Sequence, residues 1–125
     1  PMKAERRKRL GARGEDAAAR HLIERGYTLL ERNYRIPSGE VDIIAEKAQT
    51  LVFVEVKTRS SPRFGTPAEA VDIRKQRRIC GAALQYVSDN AAGDTPARFD
   101  VIEVFAENGG FRVRHITDAF SFEAP

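Results

Sequence analysis

Gly39-Glu40-Val41-Asp42-Ile43-Ile44-Ala45, followed a few residues later by Leu51-Val52-Phe53-Val54-Glu55-Val56-Lys57, decides how this chain is read. Both runs are rich in β-branched and aromatic residues, the composition of strands buried within a sheet. Asp42, Glu55 and Lys57 interrupt that pattern with charge. Successive strand residues alternate faces, so Glu55 and Lys57 share a face with Leu51 and Phe53. Asp42 joins them only if the two runs pair as a hairpin with Asp42 opposite Glu55, leaving about four residues for the connection. A slip of one residue would bring Val41 there instead.

The flanking elements follow from the same kind of reading. Upstream, Arg13 to Arg25 is expected to be helical, with Ala18, Ala19, Leu22 and Ile23 recurring at helical spacing and Gly26 as the residue after its end. Glu15 falls on the face of Ala18, Ala19 and Leu22 and is expected to point inward. Residues 27–36 read as a strand closed by the turn signal Pro37-Ser38-Gly39, so the three strands make an antiparallel meander. Downstream of Lys57 comes a loop with Arg59, Ser60, Ser61 and Arg63. Thr66-Pro67-Ala68-Glu69 has the spacing of a capping box, and Asp72 can restart the helix, which then runs to about Val87 and is expected to bury Ile79, Ala83, Tyr86 and Val87. Two more strands, 98–105 and 111–116, flank the hairpin signal Asn108-Gly109-Gly110.

Composition narrows the function. The chain has 125 residues, the size of one domain, so residues 1–125 are expected to form a single unit with a basic, loosely held start over about residues 1–10. Without an apolar run long enough to span a bilayer, no membrane partner is expected. One cysteine and two distant histidines exclude an internal disulfide and a multi-cysteine zinc motif. The start of the chain has no apolar signal core, so cytoplasm is the expected location. The net charge of +3 is mild, but Lys3, Arg6, Arg7, Lys8 and Arg9 form one basic group and Arg74, Lys75, Arg77 and Arg78 another. Such clusters raise the local potential for a polyanion, and nucleic acid is the expected partner.

Two carboxylates and an ammonium at one end of a hairpin suit phosphodiester hydrolysis. Asp42 and Glu55 offer hard oxygen ligands for Mg2+, with Mn2+ as a substitute, and Glu40 and Glu15 are further candidates for metal or water contact. Lys57 is placed to stabilise negative charge that develops on phosphorus. Arg59, Arg63, Lys75, Gln76 and Arg78 are the candidate phosphate contacts.

Gly14-Glu15, Gly39-Glu40-Val41-Asp42, Val54-Glu55-Val56-Lys57-Thr58-Arg59, Lys75-Gln76 and Arg98-Phe99-Asp100-Val101 occur in that order across nearly the whole chain. In this the chain resembles the YraN-like family of uncharacterised bacterial proteins, related to the PD-(D/E)-x-K nucleases. The resemblance implies a restriction-endonuclease-like α/β fold: three layers, α/β/α, with a central mixed sheet and element order αβββαββ. It carries the nuclease motif onto Asp42, Glu55 and Lys57, with Val41 where the motif has Pro, and makes Glu15 similar to the helix acid of archaeal Holliday-junction resolvases. It further implies a metal-dependent nuclease selective for branched or damaged DNA and, by analogy with those resolvases, a homodimer. The competing expectations are a nucleic-acid-binding module on the same fold that does not cut, and an adaptor in which the charged trio is a salt-bridged surface.

Overall fold

The computed structural model describes residues 2–59 and 71–121. Arg63, the capping-box residues 66–69 and the two serines after Arg59 lie outside them. Along the chain run α1 (Met2–Glu24), β1 (Thr28–Ile36), β2 (Gly39–Lys47), β3 (Thr50–Arg59), α2 (Ile73–Asp89), β4 (Ala97–Glu107) and β5 (Gly110–Phe120). The order αβββαββ is the expected one.

The five strands form one open sheet in sequence order, antiparallel throughout except that β3 and β4 run parallel. Parallel neighbours need a crossover connection, and α2 lies within it. The helices cover opposite faces. Ile79, Cys80 and Tyr86 of α2 pack on Ile44, Leu51, Phe53 and Phe99, while Ala18 and Leu22 of α1 pack on Ile43, Val52, Val54 and Val104. Covered on both sides, the middle of β3 is apolar at consecutive positions from Leu51 to Val54, as a central strand should be.

Local chemistry sets the element ends. After α1, Tyr27 N–H donates to the Leu22 carbonyl and Gly26 N–H to that of Ile23, each at 3.0 Å, and Gly26 has φ +88. This is a Schellman cap, closed by the apolar contact of Tyr27 with Leu22. At the start of α2 the Asp72 carboxylate accepts from Lys75 N–H at 2.9 Å, the expected capping role.

Two expectations needed revision. The β2–β3 connection is shorter than four residues: pairing continues to Lys47 with Thr50, leaving Ala48 and Gln49, both at positive φ, as a two-residue turn. Helix α1 also begins eleven residues before Arg13, because Lys, Arg, Ala and Glu all propagate a helix well. Its buried residues are Gly14, Ala18, Ala19 and Leu22 only. The helix outruns the sheet it packs on.

Candidate functional site

Strand β2 leaves β3 at the charged residues. The last pair toward that end is Ile43 with Val54, so one further step brings Asp42 level with Glu55, the register on which the candidate site depends. Beyond it the Asp42 carboxylate accepts from Val56 N–H at 2.8 Å. A side chain thus satisfies a β3 donor where ladder pairing ends.

Glu55 is 5% exposed. Burial, a hydrogen bond with the Asp42 carboxyl and the like charge of Asp42 push its pKa up to about 9, against the pull of Lys75 and Lys57. The Asp42 carboxyl beside it thus makes buried Glu55 hard to ionise. Lys75, on the first turn of α2, reaches both Glu40 at 3.2 Å and Glu55 at 3.5 Å. Burial would lower the Lys75 pKa, but Glu55, Glu40 and Asp42 outweigh it and hold the ammonium above its ordinary value. Arg35 adds a second cation at Glu40, 3.5 Å away.

Glu15 arrives from the other helix layer. Burial first, and then the charge of Asp42, raise its pKa, and its Oε1 is buried without a hydrogen-bond partner. Two glycines permit this convergence. At Gly14 a Cβ would collide with the Thr58 side chain, and at Gly39 with the Arg78 carbonyl of α2. Each glycine directly precedes a glutamate of the cluster and lets a helix seat closely beside that acid. The Gly-Glu repetition was the available signal for this role.

The candidate phosphate contacts divide. Lys75 faces inward among the carboxylates, and the Gln76 amide donates to the Val71 carbonyl at 2.9 Å, which ties down the start of α2. Arg78 is exposed. Arg59 turns toward the buried carboxylate of Glu103, 3.6 Å away, an acid that sequence reasoning passed over. A groove of about 490 Å³ between α1 and the β4–β5 turn holds Arg13, Arg20 and His21 but none of the four acids.

The Arg98-Phe99-Asp100-Val101 segment serves the scaffold. Asp100, fully buried, accepts from Arg98 Nε at 2.9 Å, from Arg98 Nη2 at 3.2 Å and from Asp118 N–H at 3.0 Å, while its Oδ2 lies 2.8 Å from His115 Nε2. The network fastens β4 to β5 where their register shifts, between Phe99 and Val101.

Can these residues hold a divalent metal? Among the described residues no three His, Cys, Asp or Glu side chains form a ready-made cage. Mg2+ does not demand one, since it commonly takes one or two carboxylates with water and substrate phosphate. Glu55 Oε2 and Glu15 Oε1 are buried oxygens lacking hydrogen-bond partners, beside an Asp42 carboxylate in contact with Glu55. That donor set fits a hard cation.

Residues 14–104 match the uncharacterised protein family UPF0102. The chain belongs to that family. A UPF0102 protein of Clostridioides difficile strain 630 is 44% identical over 113 residues, 90% of this chain and 97% of its own. The Alkaliphilus oremlandii UPF0102 protein is 48% identical over 115 residues, 90% and 98% of the two chains. That of Bacteroides thetaiotaomicron is 49% identical over 111 residues, 89% and 91%. Among solved structures, Pyrococcus furiosus SfsA in complex with Ca2+ aligns at a TM-score of 0.40 and 11% identity, over 82% of this chain and 62% of that one. A likeness that loose carries no functional information. The match from residue 14 to residue 104 takes in Glu15, Asp42, Glu55, Lys57 and Asp100, so the site and its scaffold lie within the UPF0102 segment.

Proposed function

We propose that this UPF0102 chain is a Mg2+-dependent nuclease. The observation that carries the reading is the carboxyl pair of buried Glu55 and half-buried Asp42, level with each other where β2 leaves β3, with Lys57 on the face of Glu55. Packing alone does not call for a second acid beside a buried one, because each carboxylate makes the other harder to ionise.

Asp42 and Glu55 would hold the ion, and Glu15 and Glu40 would contact its water. Bound there, Mg2+ supplies a polarised phosphoryl oxygen and a water of lowered pKa. Lys57 stabilises negative charge that grows on the phosphoryl oxygens. Glu15, with an unpartnered oxygen and a raised affinity for protons, is suited to accept one from the attacking water. Lys75 bridges Glu40 and Glu55 and favours the ionised form of Glu55.

Helix α1 supports nucleic acid as the substrate. Its sheet-facing stripe, traced backward from Leu22 through Ala18 and Gly14, continues at helical spacing to Gly11, Arg7 and Lys3. Apolar where it meets the sheet, the stripe turns basic where it passes beyond Thr58. Exposed cations on this overhang suit phosphate contacts.

One observation favours a second reading, a nucleic-acid-binding module that does not cut: Lys75 already supplies the carboxylates with a positive charge. The deciding experiment is a cleavage screen on single-stranded, duplex, flap and four-way DNA, with and without Mg2+ or Mn2+, in parallel with Asp42→Ala. Metal-dependent cleavage lost in Asp42→Ala is expected. Binding without such cleavage would leave the second reading standing.

A further inference from the structure

On β4 the residues Phe99, Val101, Glu103 and Phe105 alternate onto the sheet face that α2 covers, and all four are buried. Glu103 alone among them is charged, and it is 3% exposed. It lies beside Lys57 in the parallel pairing with β3 and opposite Arg114 in the antiparallel pairing with β5. Lys57, Glu103 and Arg114 therefore form one row across three strands, a pleat away from the row that holds Glu55.

The ion pairs made by Glu103 join opposite charges but are incomplete in hydrogen bonding. Arg59 Nε stands 3.6 Å from Glu103 Oε2, and Arg114 Nη1 stands 3.5 Å from Oε1. Glu103 Oε1 and Arg59 Nε are buried with no hydrogen-bond partner. An apolar residue, as at Val101 and Phe105 on either side, would fill this place without the cost of burying a carboxylate. The side chains of the two arginines remain 32% and 48% exposed. Two guanidinium groups thus converge on one buried anion from side chains that keep contact with solvent. Arg112, the next cation on β5, differs: it is bonded to Glu107 at 2.8 Å and stacked on Phe105 at 4.3 Å.

We infer that Glu103 is a positioning residue that sets Arg59 and Arg114 as a two-guanidinium cradle for a backbone phosphate of nucleic acid. The cradle rests on the nucleic-acid reading above and extends it. Two strand spacings and one pleat repeat put the Arg114 backbone about 12 Å from that of Glu55. The phosphate taken here is therefore a neighbour of the one at the carboxyl pair. Arginine suits it, since a planar fork meets phosphate oxygens through two N–H groups at once.

The role of Glu103 can be read from the sign of one effect. Removing a negative charge beside bound phosphate should tighten binding if Glu103 merely repels the ligand, and weaken binding if Glu103 holds the cradle. The test uses full-length protein carrying Asp42→Ala, with fluorescence anisotropy on labelled single-stranded and duplex DNA over a salt series. Expected are an affinity loss of roughly three- to tenfold for Glu103→Gln and a salt slope lower by about 0.7 to 0.9 for Arg59→Gln or Arg114→Gln. Adding Arg114→Gln to Glu103→Gln should cost less than the sum of the two. Glu103→Leu, which removes the buried polar group as well as the charge, serves the same test should the glutamine variant fold poorly. Tighter or unchanged binding in the Glu103 variants, or an unaltered slope in both arginine variants, overturns the cradle. No DNA binding by the parent overturns the cradle and the nuclease reading together, whereas a parent that binds DNA, with no metal-dependent cleavage by the unmutated chain, removes the nuclease reading alone.

Discussion

The ammonium of Lys75 lies 3.5 Å from the Glu55 carboxylate and 3.2 Å from that of Glu40, so a side chain from α2 supplies the positive charge at a site read as a cation site. Removing it uncovers the acids. Lys75→Gln is expected to lower stability by about 1 to 3 kcal/mol in EDTA, less than breaking a fully buried pair costs, because Lys75 keeps some solvent contact. Mg2+ should restore part of that loss, raising Tm more in the variant than in the parent. Thermal denaturation with and without Mg2+ measures both effects, and a Tm indifferent to Mg2+ in both proteins would sink the metal site.

Glu55 gives a second test, through the cost of ionising it. Burial and the Asp42 carboxyl raise its folded-state pKa to about 9 from the ordinary 4.5. Between those values the folded chain holds a proton that the unfolded chain has released, so this group's contribution to stability is full below about pH 4.5 and is lost as pH rises toward 9. Glu55→Gln removes that dependence while keeping the shape. We expect the variant to be more stable than the parent by about 1 to 2 kcal/mol at pH 8 without metal, and to lack cleavage activity. Urea titrations at pH 5 and pH 8 check it: a gain no larger at pH 8 than at pH 5 would contradict the raised Glu55 pKa.

Asp100 behaves in the opposite sense. Burial works to raise its pKa, but hydrogen bonds from His115, Arg98 and Asp118 N–H prevail and hold it below the ordinary value. Its stabilising contribution is therefore present above the unfolded-state pKa near 4 and lost as pH falls through the lower folded-state value. Asp100→Ala leaves Arg98 without its carboxylate and should cost about 3 to 5 kcal/mol. The penalty should shrink in acid, where the parent loses the same interaction. A variant within 1 kcal/mol of the parent at pH 7 would mean that Asp100 does not fasten β4 to β5.

What was legible in the sequence was local. Alternation from Leu51 to Lys57 places Glu55 and Lys57 on one face, and Pro37-Ser38-Gly39 and Asn108-Gly109 mark their turns because those residues tolerate the required dihedrals. Less visible was whatever depends on partners distant in the chain. The parallel pairing of β3 with β4 has no local signature, and so neither has the row Lys57, Glu103, Arg114. Lys75 reads as one cation of a basic group until α2 is docked on β2, when it turns toward the acids. The start of α1 was hidden for another reason: an overhanging helix buries no stripe, and periodicity is silent without one.

Gly14 shows how closely the scaffold and the candidate site are coupled. In a helix interior, alanine ordinarily improves on glycine by about 1 kcal/mol, so an exposed position would gain from the change. Here a Cβ would meet Thr58 Oγ1 and Cγ2, and α1 must move away from β3 or Thr58 must yield. Gly14→Ala is therefore expected to destabilise by about 1 to 3 kcal/mol, in the range of overpacking. Because Glu15 is the next residue, the same shift should draw its carboxylate away from Asp42 and depress cleavage beyond what the stability loss explains. Thr58→Ala removes the two colliding atoms, and the double variant should recover most of both losses. Calorimetry and cleavage rates on the two single variants and the double variant form a thermodynamic cycle. If Gly14→Ala proves stabilising, or if Thr58→Ala brings no recovery, the close seating of α1 on β3 is not what holds Glu15 at the carboxyl pair.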